Sequence, residues 1–154
     1  MSGIKFSFKV APSVVEKERS QLDIRSLGSR GIRRLAEGQL LIIAEEPRQS
    51  IEIESEIIDY LDQLMGVVQY LDSGNTESFT VSADYFSNNL RFLYDRSTMN
   101  LTIKDVNNGE RQVTVPYNDF RQSFLKFYKQ ATRDLEMLYP ELSENKEFLA
   151  MAAR

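Results

Sequence analysis

Leu90-Arg91-Phe92-Leu93-Tyr94-Asp95-Arg96-Ser97-Thr98-Met99-Asn100-Leu101-Thr102-Ile103-Lys104 is the stretch that decides the fold. Leu90, Phe92 and Tyr94 share one face, and Asp95 to Thr98 supply a polar turn. Met99, Leu101 and Ile103 then alternate with Asn100, Thr102 and Lys104. Period two marks a strand with one buried face. Working outward, Phe79-Thr80-Val81-Ser82-Ala83 alternates before it, and Val113 and Val115 alternate with Gln112 and Thr114 after it. Between them Asn107-Asn108-Gly109 carries the residues that tolerate positive φ, so Asn108-Gly109 predicts a hairpin tip. The spacing predicts an antiparallel meander over 79–83, 89–95, 99–105 and 111–115, closed by Pro116, which has no N–H to offer a ladder.

A long helix follows at once, with Asn118 or Asp119 as the expected cap. Phe120, Phe124, Phe127, Tyr128, Ala131, Leu135 and Leu138 recur at spacings of three and four and make one apolar stripe. Pro140 ends it. A second amphipathic helix is expected to start at Ser55, with Ile57, Ile58, Leu61, Leu64, Met65, Val68 and Leu71 as its core stripe and Gly74-Asn75 as its close. An antiparallel meander covered by two such helices is a two-layer α+β sandwich. The whole chain, residues 1–154, reads as a single α+β domain.

The N-terminal part adds further elements. Ile4, Phe6, Phe8 and Val10 alternate with Lys5, Ser7 and Lys9 as a first strand, broken by Pro12. Ser13-Val14-Val15-Glu16 has the form of a capping box for a short helix. Leu22, Ile24 and Leu27 fit a strand equally well. Gly28-Ser29-Arg30-Gly31 reads as a surface turn, since it lacks the Gly-Lys-Ser/Thr ending of a phosphate loop. Leu40-Leu41-Ile42-Ile43 reads as a buried strand between Gly38 and Pro47, and Ile51 and Ile53 alternate with Glu52 and Glu54. Glu144 to Ala153 is a short last helix.

The chain has no Cys and no His. That inventory removes disulfides, thiolate metal sites, and both Ser-His-Asp and Cys-His catalysis. No cofactor is expected, no catalytic residue is assigned, and the chain does not read as an enzyme. Paired carboxylates can serve a glycosidase, but no cleft is indicated. No run is long and apolar enough to span a bilayer, and a cytoplasmic location is expected.

The polar feature that stands out is acidic. Residues 39–75 carry one basic and eight acidic side chains in a chain whose net charge is −4. Glu45, Glu46, Glu52, Glu54, Glu56, Asp59 and Asp62 fall close together. They could be a solvated face, a docking surface for a basic protein, or a divalent-cation site, although no calcium-loop spacing is present. Glu52, Glu54, Glu56, Asp59 and Asp62 are the candidate partner-binding residues. Off the apolar stripe of their helix, Glu56, Asp59, Asp62 and Gln63 are expected to be exposed. Tyr85-Phe86, between strands, is a candidate aromatic anchor that could equally tuck back on the core. Basic side chains form two smaller groups: Arg30, Arg33 and Arg34 in the loop, and Arg121, Lys126, Lys129 and Arg133 on the long helix. They motivate an alternative reading as a nucleic-acid-associated regulatory protein, which a pI near 5.0 disfavours.

An N-terminal strand, an acidic helix, a meander holding Leu90-Arg91-Phe92-Leu93-Tyr94 and Asn107-Asn108-Gly109, and a helix ending in Leu138-Tyr139-Pro140 together resemble small bacterial immunity proteins of polymorphic-toxin systems. The layout is also similar to uncharacterised domains found beside them. The resemblance implies a cytosolic, non-enzymatic protein that neutralises a toxin by covering its active site. No functional residue is carried over from it. The expected partner is a protein, in the sharpest form a basic toxin, with no membrane involved.

Overall fold

The computed structural model describes residues 3–45, 48–82, 89–107 and 111–154. Its order is β1 (Ile4–Lys9), α1 (Pro12–Gln21), a 3₁₀ turn (Ile24–Ser26), α2 (Ser29–Arg33), β2 (Glu37–Glu45), β3 (Arg48–Glu56), α3 (Ile57–Asp72), β4 (Phe79–Ser82), β5 (Asn89–Asp95), β6 (Asn100–Asp105), β7 (Gln112–Pro116), α4 (Tyr117–Leu138), a second 3₁₀ turn (Pro140–Glu144) and α5 (Lys146–Ala152). The class is α+β with antiparallel sheets, as the periodicities imply.

The meander is present as a four-stranded sheet in the order β4-β5-β6-β7. Its inner face is the alternating set read from the sequence, with Leu90 opposite Asp105, Phe92 opposite Ile103, and Leu101 opposite Val115. Met99 does not join the strand. It sits in the turn at φ 61 and is exposed, and its N–H donates to Asp95 O at 2.7 Å. The Asn108-Gly109 tip and Tyr85-Phe86 lie outside the described residues.

The chain forms a second sheet that the meander reading did not separate. β1, β2 and β3 pair in that order, antiparallel throughout. Gly38 is required where β2 meets the end of β1, because a Cβ there would lie 2.1 Å from Lys9 O. At the other end of this sheet the Gln49 side chain accepts from the Thr114 N–H at 3.4 Å, tying β3 to β7 of the meander.

Helix α4 bridges the two sheets. Phe6 of β1 meets Phe120, Phe124 and Phe127 with ring centroids 5.6 Å apart in each case, while Phe92 of β5 meets Phe120 at 6.2 Å. Phe120, Phe124, Ala131 and Leu135 are fully buried. The aromatic stripe therefore covers β1 as well as the meander. Burying these rings removes large apolar areas from water, and their edge and offset contacts add a smaller directional gain. Helix α3 packs beside α4, where the Tyr117 hydroxyl donates to Asp72 Oδ1 at 2.7 Å and Arg121 Nε donates to Asp72 Oδ2 at 2.9 Å.

Several local boundaries differ from expectation for identifiable reasons. Helix α4 starts at Tyr117 with Pro116 before it and no side-chain cap, so neither Asn118 nor Asp119 serves. Ser55 belongs to β3 and is buried, and α3 likewise begins without a side-chain cap. Here the Ile57 N–H donates to Ala36 O at 3.0 Å, so a neighbouring backbone does what a cap would do. Helix α1 begins at Pro12 with no capping-box bond, consistent with a ring that presets φ. The expected surface turn at Gly28 to Gly31 is the start of α2, and the strand alternative at Leu22 to Leu27 is replaced by a 3₁₀ turn.

Buried tyrosines make the fold sensitive to alkali. Burial pushes the Tyr128 phenol up to about 12, and its hydroxyl donates to Met151 O at 2.6 Å. Burial also raises Tyr60, Tyr117 and Tyr139. In each case the folded value lies above the unfolded one. The stabilisation is thus complete below about pH 10 and is lost as pH rises toward the folded value. Denaturant midpoints are expected to fall steeply between about pH 10 and 12. Tyr128→Phe is expected to make that fall shallower by up to about 1.4 kcal/mol per pH unit. An unchanged slope would show that Tyr128 ionises freely in the folded state.

Candidate protein interface

The three-stranded sheet has one face turned to the core and one whose described side chains are all exposed or half-buried. Strand alternation decides which side chains appear there. On the core face lie Ile4, Leu40, Ile42, Ala44, Ile51 and Ile53, all buried. On the other face, register sets three rows: Lys9–Gln39–Glu54, Ser7–Leu41–Glu52 and Lys5–Ile43–Ser50. Leu41 and Ile43 are only half-buried, and the lysines and glutamates beside them are exposed. The apolar run Leu40 to Ile43 therefore splits, with two residues in the core and two on an open face.

The open face has an apolar ridge along its centre, a lysine flank on β1 and a glutamate flank on β3. Adjacent strands lie about 4.8 Å apart, which puts the flanks about 10 Å from each other across β2. At that distance, near a Debye length at about 0.1 M salt, the flanks screen each other poorly and each presents its own sign to solvent. Lys5 pairs with Glu45 at 3.4 Å at one corner. At the opposite end the face opens into a hollow of about 430 Å³, with Val10, Pro12 and Val14 in its wall and Lys9, Glu37 and Glu54 around it. An apolar centre, a charged rim and a shallow recess are what a protein interface is built from.

The five candidate acidic residues separate into two groups. Glu52 and Glu54 are exposed on this face. Glu56 and Asp59 are not exposed as expected: they are 1% and 5% accessible. Asp59 receives Arg33 Nη1 at 3.0 Å and Gln63 Nε2 at 2.8 Å, and Asp62 is held between Arg33 and Arg154. Burial works against the charge on Arg33, but its bonds and attraction to Asp59 and Asp62 prevail and hold its pKa above the usual value. The acidic side of α3 is thus an internal ion-pair network, and the helices over it, α2 and α5, are the reason. Among the described residues no three carboxylates converge on one point as a cation would need.

The basic candidates divide in a similar way. Arg33 is committed to α3, and Arg121 to Asp72. Arg30, Lys126, Lys129 and Arg133 are exposed. What sequence reasoning missed is the apolar ridge itself. The signal was present in the matching alternation of Lys5-Ser7-Lys9, Leu41-Ile43 and Glu52-Glu54, which only a common sheet makes into one surface. No helix of the described residues is long and apolar enough to cross a membrane. No family model matches the chain, and neither a curated protein nor a solved structure matches it.

Proposed function

We propose that this protein is a non-enzymatic protein-binding module that docks through the open face of β1-β2-β3, and that its sharpest form is an immunity-type inhibitor covering the active site of a basic toxin. The observation that carries the reading is the row Ser7–Leu41–Glu52, where a half-buried leucine sits on an uncovered sheet face beside an exposed carboxylate. Many toxins act on nucleic acid through basic clefts, and the Glu52 and Glu54 flank complements such a field. Complementary charge acts mainly on encounter rate and on discrimination between partners.

Capture from the native host identifies the partner, and the Glu52→Lys/Glu54→Lys protein then tests the surface. Its association rate is expected to fall about tenfold at low salt and to lose its salt dependence, while thermal stability barely moves. If association with the partner is untouched, the face is only solvated. A second reading, nucleic-acid binding, draws support from Lys126, Lys129 and Arg133, which are exposed on one helix. Retention of nucleic acid that falls steeply with salt would favour it.

A further inference from the structure

We propose that the outer edge of β1 at Phe6 and Phe8 accepts an extended segment of a partner protein as an added strand, one that sets acidic side chains beside Lys5 and Lys9 and apolar side chains into the groove along α4. This goes beyond the docking face, since it uses main-chain groups and a different boundary of the sheet.

The parity of the β1–β2 ladder exposes the edge. Glu45 N–H donates to Gly3 O at 2.8 Å, and the register runs from Ile4 opposite Ala44 to Lys9 opposite Gln39. In an antiparallel pair, hydrogen-bonded residues alternate with non-bonded ones. Residues 5, 7 and 9 therefore point their backbone groups at β2, and Phe6 and Phe8 point theirs the other way. Among the described residues no strand pairs with that side of β1. The strand has no proline, no bulge and no charge directed inward, which are common devices for blunting an edge.

A groove runs along the same edge. It holds about 650 Å³ between β1, from Phe6 to Val10, on one side and Phe127, Met137 and Leu138 on the other, with Gln130 and Asp134 of α4 also in its wall. Met137 is 80% exposed. An added strand places every second side chain on the core side of the sheet, where Phe6, Phe8, Phe127 and Leu138 line this groove at the strand's edge. Main-chain bonds to Phe6 and Phe8 with alternate side chains entering a groove constitute recognition by strand addition.

Charge selects the occupant. Lys5 and Lys9 stand on the solvent face of β1, and both are exposed. Antiparallel pairing of two copies centred on Ser7 would set Lys5 across from Lys9 twice, and pairing centred on Phe6, of equal overlap, would set Lys5 across from Ser7. Like charges directly opposite are destabilising, whereas acidic residues there are favourable. Neither register gives the lysines an opposite charge, whereas a strand alternating apolar and acidic residues gives one to both.

The test uses the full chain and two synthetic peptides of about nine residues, alternating valine with glutamate or valine with lysine. The glutamate peptide is expected to slow hydrogen exchange at the Phe6 and Phe8 amides by at least about tenfold, and the Ser7 amide, already bonded to β2, should not respond. In Lys5→Glu/Lys9→Glu the preference is expected to invert in favour of the lysine peptide, by about tenfold in affinity. Equal behaviour of the two peptides, or no response at Phe6 and Phe8, overturns the proposal. Protection without peptide that grows with protein concentration also overturns it and makes a second copy the occupant. Glu52 and Glu54 take no part, so Glu52→Lys/Glu54→Lys leaves this result unchanged, and the edge and the docking face fail separately.

Discussion

Phe124→Ala is expected to lower stability by about 3–5 kcal/mol, the usual cost of emptying a fully buried aromatic site. Phe124 is 0% accessible, and its ring meets Phe6, Phe120, Phe127 and Tyr128 within 6.4 Å. The site cannot collapse easily. Its neighbours come from β1 and α4, and β1 is fixed to β2 by its ladder. For a chain of this size the loss corresponds to a fall in Tm of roughly 6–20 °C. Phe124→Leu should cost less, because most of the volume is kept. A denaturant midpoint unchanged by Phe124→Ala would mean that the stripe does not face the core.

Asn145→Ala is expected to be as damaging for a different reason. Asn145 is 1% accessible and serves both ends of its amide. Its Oδ1 accepts from Phe148 N–H at 3.0 Å, capping α5, and its Nδ2 donates to Ile24 O at 2.7 Å and to Leu27 O at 2.9 Å. Alanine removes the cap, worth about 1 kcal/mol, takes one donor from Ile24 O, which keeps the Leu27 N–H at 3.3 Å, and leaves Leu27 O without the Asn145 donor. Each such group costs about 1–3 kcal/mol when buried. The total is expected near 3–5 kcal/mol by chemical denaturation. Asn145→Asp separates the two roles. It keeps the acceptor for α5 but turns an anionic oxygen toward the carbonyls of Ile24 and Leu27. Burial and those carbonyls should raise its folded pKa above the unfolded value. Its stability is then expected to recover as pH falls through that raised value. A loss independent of pH would show that the amide donor carries nothing.

The strands of the meander and the stripe of α4 were legible because they are periodic and because one period suffices to state what is buried. The second sheet was less legible. β1 and β3 carry a readable alternation and β2 a continuous apolar run, but pairing Lys5-Ser7-Lys9 with Leu41-Ile43 joins residues more than thirty positions apart, and nothing local records the partner. The acidic helix misled for a related reason. A helical wheel shows that Asp59 and Asp62 leave the main apolar stripe, but not that Arg33 and Arg154 will cover them. Helix starts were misread at Ser13, Ser55 and Asn118. There a proline or a neighbouring carbonyl replaced the side-chain cap. The outward alternation of Glu52 and Glu54 on β3 was legible in the sequence, while the ridge between the charged flanks needed the register.

Helix α4 has a consequence for the order of events during synthesis. It closes over a strand made more than a hundred residues earlier, since Phe6 finds ring partners at Phe120, Phe124 and Phe127. At about 5–20 residues per second, the ribosome leaves Phe6 and Phe8 waiting on the order of 6–24 s for that cover. During this interval β1 has apolar residues without their final shield and an edge without a neighbour. Translation itself thus opens a window for mispairing or for chaperone engagement, and a pause placed after β3 would lengthen it.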